Sequence, residues 1–206
     1  MARKTQKDAE KTRTKILASA LSLFAKKGYE HTTFADVAAR LDMTKGAVYW
    51  HFESKEALLM ALVDEMLEKF QRQIGDMMPQ SDLSFPAVAD MMVKHAIRLL
   101  EDAKGTAFFL LMHEQVQWAS DSMAKVREDL LTNERFGPWH AFHAAVANDV
   151  AAGRARADVS AERVAHTCVA IWDGLVHARI AKFMTCDLKE TMEHAFAGVW
   201  NAIKAG

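Results

Sequence analysis

The stretch TTFADVAARLDMTKGAVYWHFESK, residues 32–55, decides how this 206-residue chain is interpreted. Thr33 and Asp36 have the spacing of a capping box, in which side chain and backbone bind each other where a helix begins. Thr44 is placed to cap a second short helix over 45–51, which carries small and polar side chains. Two short helices joined by a tight turn form a helix-turn-helix motif, whose second helix enters the major groove of DNA.

The composition predicts a protein made only of helices. Hydrophobic residues make up 50% of the chain and charged residues 26%, while Gly (9) and Pro (3) are scarce. The alternation of apolar and polar residues that is typical of strands is absent. We therefore expect an all-α fold of about nine helices.

The charge is divided unevenly along the chain. Residues 1–55 hold eleven Lys and Arg against six Asp and Glu, a net charge of +5, whereas the remainder carries −6. A basic end on an acidic body indicates a polyanionic partner at that end, although a merely solvated basic segment would have the same composition.

The hydropathy of the sequence predicts neither a membrane span nor a secretory signal. No apolar run approaches the roughly 18 residues of a membrane span, and the first residues lack the apolar core of a secretory signal. The two cysteines, Cys168 and Cys186, lie in helical, apolar surroundings. We expect free thiols and a cytoplasmic location.

Helical periodicity divides the chain further. The first helix is predicted from Asp8 to Lys27, closed by Gly28. Later helices are predicted over 54–78, 85–102, 106–118, 122–152 and 160–184, with a last apolar stripe from Leu188 to Ile203. Gly105 is expected to break the chain, and Gly137–Pro138 to kink or split the helix around it.

Three motifs give the chain a family resemblance. TRTKIL lies in the first helix, FAKKGYEHTTFADVAARL leads into the second, and TKGAVYWHFESKEAL covers the third and the start of the fourth. Together they resemble TetR-family transcriptional regulators, in particular the AcrR-like, multidrug-efflux-repressor type. Asp42 in the turn departs from the glycine common in that family. The resemblance implies a DNA-binding domain over 1–55 and a ligand-binding and dimerisation domain over 56–206.

The resemblance also implies which residues meet operator DNA. Thr44, Lys45 and Gly46 would lie nearest the base edges. Thr33, Tyr49, His51 and Lys55 would hold phosphates, which fix the register of a protein on DNA without reading sequence. Tyr49 could instead be a packed aromatic, and His51 could instead cap the third helix. We predict that Trp50 and Phe52 lie in the core, because large apolar surface is costly to expose.

The last two helices are apolar enough to require a covering partner. TetR-like proteins usually dimerise through a four-helix bundle made from such helices, which implies a homodimer here. The predicted dimer contacts are Ile180, Met192, Phe196 and Trp200.

A pocket is the other use for this apolar surface. Polar residues embedded in apolar runs indicate one, and the resemblance places comparable positions around the ligand cavity of multidrug-sensing relatives. The predicted lining residues are Phe109, Met112, His113, Gln117, Trp139, His143, Trp172, Asp173 and Val176. His113 and Asp173 could equally satisfy each other inside the core. An apolar or aromatic effector would suit the rest.

Other classes of protein fit less well. The chain has no nucleophile elbow, phosphate loop or paired-carboxylate motif, so we do not expect an enzyme. His140 and His143 are too few to predict a metal site, and no cofactor is expected. The sequence predicts a ligand-responsive repressor, with an effector-independent architectural DNA binder as the alternative.

Overall fold

The computed structural model describes residues 6–77, 83–132 and 138–206. The predicted all-α fold is confirmed, because the regular structure within these ranges is helical, apart from one isolated antiparallel bridge between Ala155 and Lys204. The described residues form ten α-helices: α1 (Gln6–Lys27), α2 (Phe34–Arg40), α3 (Lys45–His51), α4 (Lys55–Met77), α5 (Phe85–Glu101), α6 (Ala103–Leu110), α7 (Ala124–Thr132), α8 (Trp139–Ala151), α9 (Ala161–Ile180) and α10 (Leu188–Ile203).

The chain forms two compact units. The first unit comprises residues 1–68 and 103–132, and the second comprises 69–102 and 133–206. The helices α6 and α7 therefore share a unit with the helix-turn-helix motif. The functional boundary after residue 55 stays a prediction.

The first unit is built around the apolar face of α1. Ile16, Ala20 and Phe24 are buried on it as the periodicity requires, and α2, α3, α4 and α6 add further buried side chains. Gly28 ends α1 with a φ of +89°, and a Cβ there would stand 3.2 Å from the side-chain oxygen Oε1 of Gln115. Glycine at this position therefore serves both the backbone turn and the close approach.

The prediction for residues 105–118 is wrong in two respects. The chain breaks at Asp102, whose backbone is extended, and Gly105 lies buried inside α6. After Leu110 the helix widens into a π-helix over Leu111–Gln115. Gln117 and Trp118 therefore follow the helix instead of belonging to it, because the wider turn ends the regular ladder at Gln115.

Two other helix boundaries differ from the prediction. The segment 122–152 contains a 3₁₀ turn (Asp121–Met123) and two helices, α7 and α8, and Pro138 directly precedes α8. Gly137, at the predicted kink, lies outside the described residues, as do residues 78–82 at the predicted end of α4. The helix predicted to reach residue 184 ends at Ile180, because Lys182 adopts a left-handed φ of 61°.

A buried carboxylate organises the second unit. Asp149 on α8 is 0% exposed, and its Oδ2 accepts a hydrogen bond of 2.7 Å from the backbone N–H of Phe85. Its Oδ1 lies 2.6 Å from both Nε and Nη2 of Arg154. Asp149 therefore supplies an acceptor at the first turn of α5 and fixes that helix to the end of α8.

Removing this carboxylate should destabilise the chain. Asp149→Ala leaves the Phe85 N–H and the Arg154 guanidinium without their acceptor, so we expect the free energy of unfolding in urea to fall by about 3 kcal/mol. Asp158→Ala is the matched control, because that carboxylate is exposed and pairs only across the surface with Arg156. Equal effects of the two variants would contradict the role assigned to Asp149.

A second buried group in this unit titrates abnormally. His95 lies between two aromatic rings, with its ring centroid 4.3 Å from that of Phe70 and 5.6 Å from that of Trp172. Burial, together with the positive charges of Arg98 and Lys69, lowers the pKa of His95 to about 4. His95 is therefore neutral in the folded chain at neutral pH.

The stability of the chain should depend on pH through His95. The unfolded chain takes up this proton near pH 6.5 and the folded chain only near pH 4, so acid favours unfolding within that window. Between pH 6.5 and pH 4 we expect the wild type to lose about 3 kcal/mol of unfolding free energy through His95. His95→Gln should not show this part of the loss. Parallel profiles for wild type and His95→Gln would contradict the argument.

Candidate DNA-binding surface

The helix α3 has one exposed face and one face that packs into the first unit. Thr44 Oγ1 accepts a hydrogen bond of 3.2 Å from the N–H of Ala47, which confirms the predicted cap. Val48 is fully buried and anchors the helix. Lys45, Gly46, Tyr49 and Trp50 are exposed, and Lys45 Nζ lies 5.5 Å from the centre of the Tyr49 ring. The anchored helix therefore offers a mixed basic and aromatic surface.

The predicted capping box at the start of α2 is confirmed. The Thr33 backbone N–H and hydroxyl both donate to Asp36 Oδ2, at 2.8 Å and 2.7 Å, and the N–H of Asp36 donates back to Thr33 Oγ1 at 3.2 Å. Lys27 Nζ lies 2.7 Å from Oδ1 of the same carboxylate. The Lys27 ammonium and the Thr33 donors hold the pKa of Asp36 well below its usual range. In this conformation the hydroxyl proton of Thr33 is already used within the motif.

Lys55 is also bound to the protein itself. Its Nζ donates to the carbonyl oxygens of Tyr29 (3.0 Å) and Glu30 (3.3 Å), and it lies 4.3 Å from the centre of the Tyr29 ring. The phenol of Tyr29 is buried, and its burial, with the negative charges of Glu56 and Glu30, raises its pKa. Lys55 thus fixes the start of α4 to the segment that follows α1.

The prediction for the two aromatic residues at the end of α3 is half right. Phe52 is buried, as predicted, with the Arg13 guanidinium 5.1 Å from its ring. Trp50 is 73% exposed, so its assignment to the core is wrong. Successive helical residues are rotated by about 100°, which places residue 50 away from the buried face of Val48. His51 is half-buried, and its ring lies edge-on to Trp50 at 4.6 Å.

An open depression of about 440 Å³ lies beside this face. It brings together the first turn of α2, the exposed side of α3 and the start of α4. Its lining residues are Glu30, Thr32, Thr33, Phe34, Lys45, Tyr49, Glu53, Ser54 and Lys55. Four of the seven predicted DNA-binding residues therefore share one concave surface.

The predicted ligand-binding residues fall into two groups. In the first unit, Phe109 stacks on His113 with ring centroids 4.1 Å apart, Met112 is buried, and Gln117 is exposed beyond the π-helix. In the second unit, Trp139 stacks on His143 at 4.7 Å. The other three residues of that unit lie on α9: Trp172 donates to the Met92 carbonyl at 2.9 Å, Val176 is buried, and Asp173 is half-buried.

Metal ligands do not cluster in the part of the chain that the structure describes. Within residues 6–77, 83–132 and 138–206, no three His, Cys, Asp or Glu side chains are placed to hold an ion.

The predicted dimer residues make contacts inside the subunit. Met192 and Phe196 are buried on the inner face of α10, and Trp200 stacks on Phe85 with centroids 5.8 Å apart. Ile180 is half-buried at the end of α9. The apolar stripe of α10 thus fills the core of its own unit. Other residues form the outer faces of these two helices: His166, Ala170, Gly174 and His177 on α9, and His194, Ala197, Gly198 and Asn201 on α10.

This combination of an anchored second helix, a capped first helix and a basic outer face defines a DNA-binding transcription factor of the helix-turn-helix class. Residues 16–62 match the family described as bacterial regulatory proteins, tetR family. The regulator TtgR of Pseudomonas putida is 28% identical over 177 residues, which cover 85% of this chain and 83% of TtgR. The regulator AcrR of Shigella flexneri is 37% identical over 86 residues, covering 42% of this chain and 38% of AcrR.

Solved structures show the same fold. NalD of Pseudomonas aeruginosa superposes with a TM-score of 0.76 at 21% identity, over 97% of this chain and 98% of NalD. SmeT, solved in complex with triclosan, superposes with a TM-score of 0.77 at 23% identity, over 94% and 92% of the two chains. The chain is thus similar in sequence to regulators of the tetR family, with the family model matching residues 16–62, and it shares its fold with NalD and SmeT. Among the residues described, no helix has the length and hydropathy needed to cross a membrane.

Proposed function

We propose that this chain is a cytoplasmic, homodimeric repressor that binds operator DNA through α3 and releases it on binding a small apolar or aromatic effector. The observation that carries the DNA-binding half is the outward face of α3, where Lys45, Tyr49 and Trp50 are exposed on a helix anchored by Val48. Two structural relatives support the regulatory half: NalD is described as a repressor of a multidrug efflux pump, and SmeT was solved with triclosan.

The residues of the motif divide between contact and support. Lys45 supplies a mobile positive charge, Tyr49 a phenol, and Gly46 a bare backbone that can approach the groove. Thr44 uses its oxygen as an acceptor for the cap, which leaves its O–H able to donate to DNA. His51, at the end of α3, lies next to Trp50 and is assigned to the phosphate backbone.

Thr33 and Lys55 have a different primary role in this proposal. Both are already hydrogen-bonded within the motif, so a phosphate would have to replace an existing partner. We assign them to holding α2 and α4 in place. Their contribution to DNA affinity then comes through the position of α3.

The dimer would place two copies of α3 on one face of DNA, about one helical turn (~34–36 Å) apart. The outer faces of α9 and α10 are the surface for this contact, because the inner face of α10 already packs within the subunit. The predicted residues Met192 and Phe196 then support the interface from behind, while Ala170, Gly174, Ala197 and Gly198 lie on the outer surface.

Effector binding is assigned to the aromatic and histidine pairs that the sequence singles out. Phe109 with His113, and Trp139 with His143, each present stacked rings that suit flat apolar molecules. An effector releases DNA only to the extent that it binds the DNA-free conformation more tightly than the bound one.

DNA binding can be tested on a site that the protein itself selects. Duplexes captured by the purified protein from a random library provide the operator, and binding is titrated against salt concentration. Lys45→Ala should weaken binding and reduce the slope of log affinity against log salt by about 1, because one positive charge that lowers the negative charge of the DNA is removed from the interface. Lys189→Ala, which removes an exposed lysine paired with Glu193 on α10, should change neither quantity. Failure to select any duplex would refute the proposed function.

The effector can be tested with a panel of apolar aromatic compounds that includes triclosan. A true effector should raise the thermal unfolding temperature and weaken operator binding at the same concentrations. Phe109→Leu keeps an apolar side chain at this buried position and removes the ring that stacks on His113, so it should reduce both responses while it leaves DNA affinity without compound intact. If no compound in the panel shifts either quantity, the effector-independent architectural role becomes the better description.

A further inference from the structure

We propose that Trp50 is a specificity-determining residue that reads the C5-methyl group of thymine in each operator half-site. This inference rests on the proposed function, since it requires α3 to enter the major groove. It adds a base preference and a residue that carries it.

The exposure of Trp50 is the starting observation. Its side chain is 73% exposed on a seven-residue helix whose outward face also carries the exposed Tyr49. The other large hydrophobic residues that are exposed within the described ranges are Leu83 and Phe183, which lie in two separate loops. The α3 helix is therefore where two exposed aromatic side chains adjoin. An apolar surface of this kind usually marks a contact with a partner.

Small residues occupy the helical turn before Trp50. Gly46 lies one turn earlier on the same face, and only Thr44 Oγ1, at 3.9 Å, stands within 4 Å of the place where a Cβ would be. Ala47, three residues before Trp50, is half-buried. Long side chains on a helix lean toward its N-terminus, so an indole at position 50 and the gap at position 46 contribute to one surface.

The chemical groups exposed in the major groove determine which base feature an indole can contact. The edges of the base pairs in the major groove carry hydrogen-bond donors and acceptors, and thymine adds a methyl group. An indole has a broad apolar face and a single N–H donor, so it cannot form the bidentate pairs by which arginine reads guanine. Within α3, Lys45 and Tyr49 are the long exposed side chains beside it that end in a polar group. Methyl contact is the base readout that this surface favours.

The experiment uses operator duplexes selected by the wild-type protein. Each thymine in a half-site is replaced in turn by deoxyuridine, which keeps the pairing with adenine and lacks the methyl group. At one or two positions we expect the affinity of the wild type to fall about fourfold for each methyl removed, the effect of burying one such group. Trp50→Ala should bind the thymine duplex more weakly and lose no further affinity on deoxyuridine substitution.

Two controls keep the test interpretable. Phe183→Ala removes an aromatic side chain that is 84% exposed outside α3, and it should change neither the affinity nor the deoxyuridine penalty. Trp50→Gln repeats the test with a side chain of different polarity, and thermal unfolding reports whether both variants fold. An undiminished penalty in both folded variants would overturn the inference, as would a wild type indifferent to every substitution. These outcomes leave DNA binding intact, whereas failure to select DNA at all would refute the proposed function itself.

Discussion

The shortness of α2 and α3 is the constraint on which the DNA-binding surface depends. Each has seven residues, and isolated helices shorter than roughly 12–15 residues are marginal in water. They persist because Val37 and Val48 are fully buried against the rest of the first unit and because both helix starts are capped. Side chains in the motif must therefore stabilise the helices before any can be spared for DNA.

This constraint separates residues that family resemblance groups together. Thr33 and Lys55 belong to the positions expected at phosphates, yet both form hydrogen bonds inside the protein. Trp50, expected in the core, is exposed. A family resemblance indicates which position of the chain a residue occupies in the motif. It does not indicate which groups the side chain contacts, because those depend on the neighbours in the folded structure. The free and the occupied donors of the motif can be told apart only when those neighbours are known.

Local interactions were the part of the fold that could be predicted. The caps at Thr33 and Thr44 involve residues three apart, so spacing alone identifies them. The contact between Asp149 and Phe85 joins residues 64 positions apart, and no local pattern indicates it. Gly105 shows the same limit, since a glycine buried inside a helix has the same local signature as a helix break. The exposure of Trp50 follows from helical rotation, because position 50 lies two residues, or about 200°, from the buried Val48.

A subunit that discriminates weakly between base sequences would discriminate better as part of a two-fold dimer. A methyl contact worth about fourfold in affinity discriminates poorly between sites in a single subunit. In the proposed dimer, two subunits that make the same contact in two half-sites would multiply their preferences, giving about sixteenfold for one methyl in each. The geometry that joins the subunits then determines whether both contacts form together. Because the recognition helix carries few hydrogen-bonding readers, the proposed dimer would be sensitive to any change in the spacing of its two copies of α3, and the proposed effector would act on that spacing without touching the DNA-binding surface.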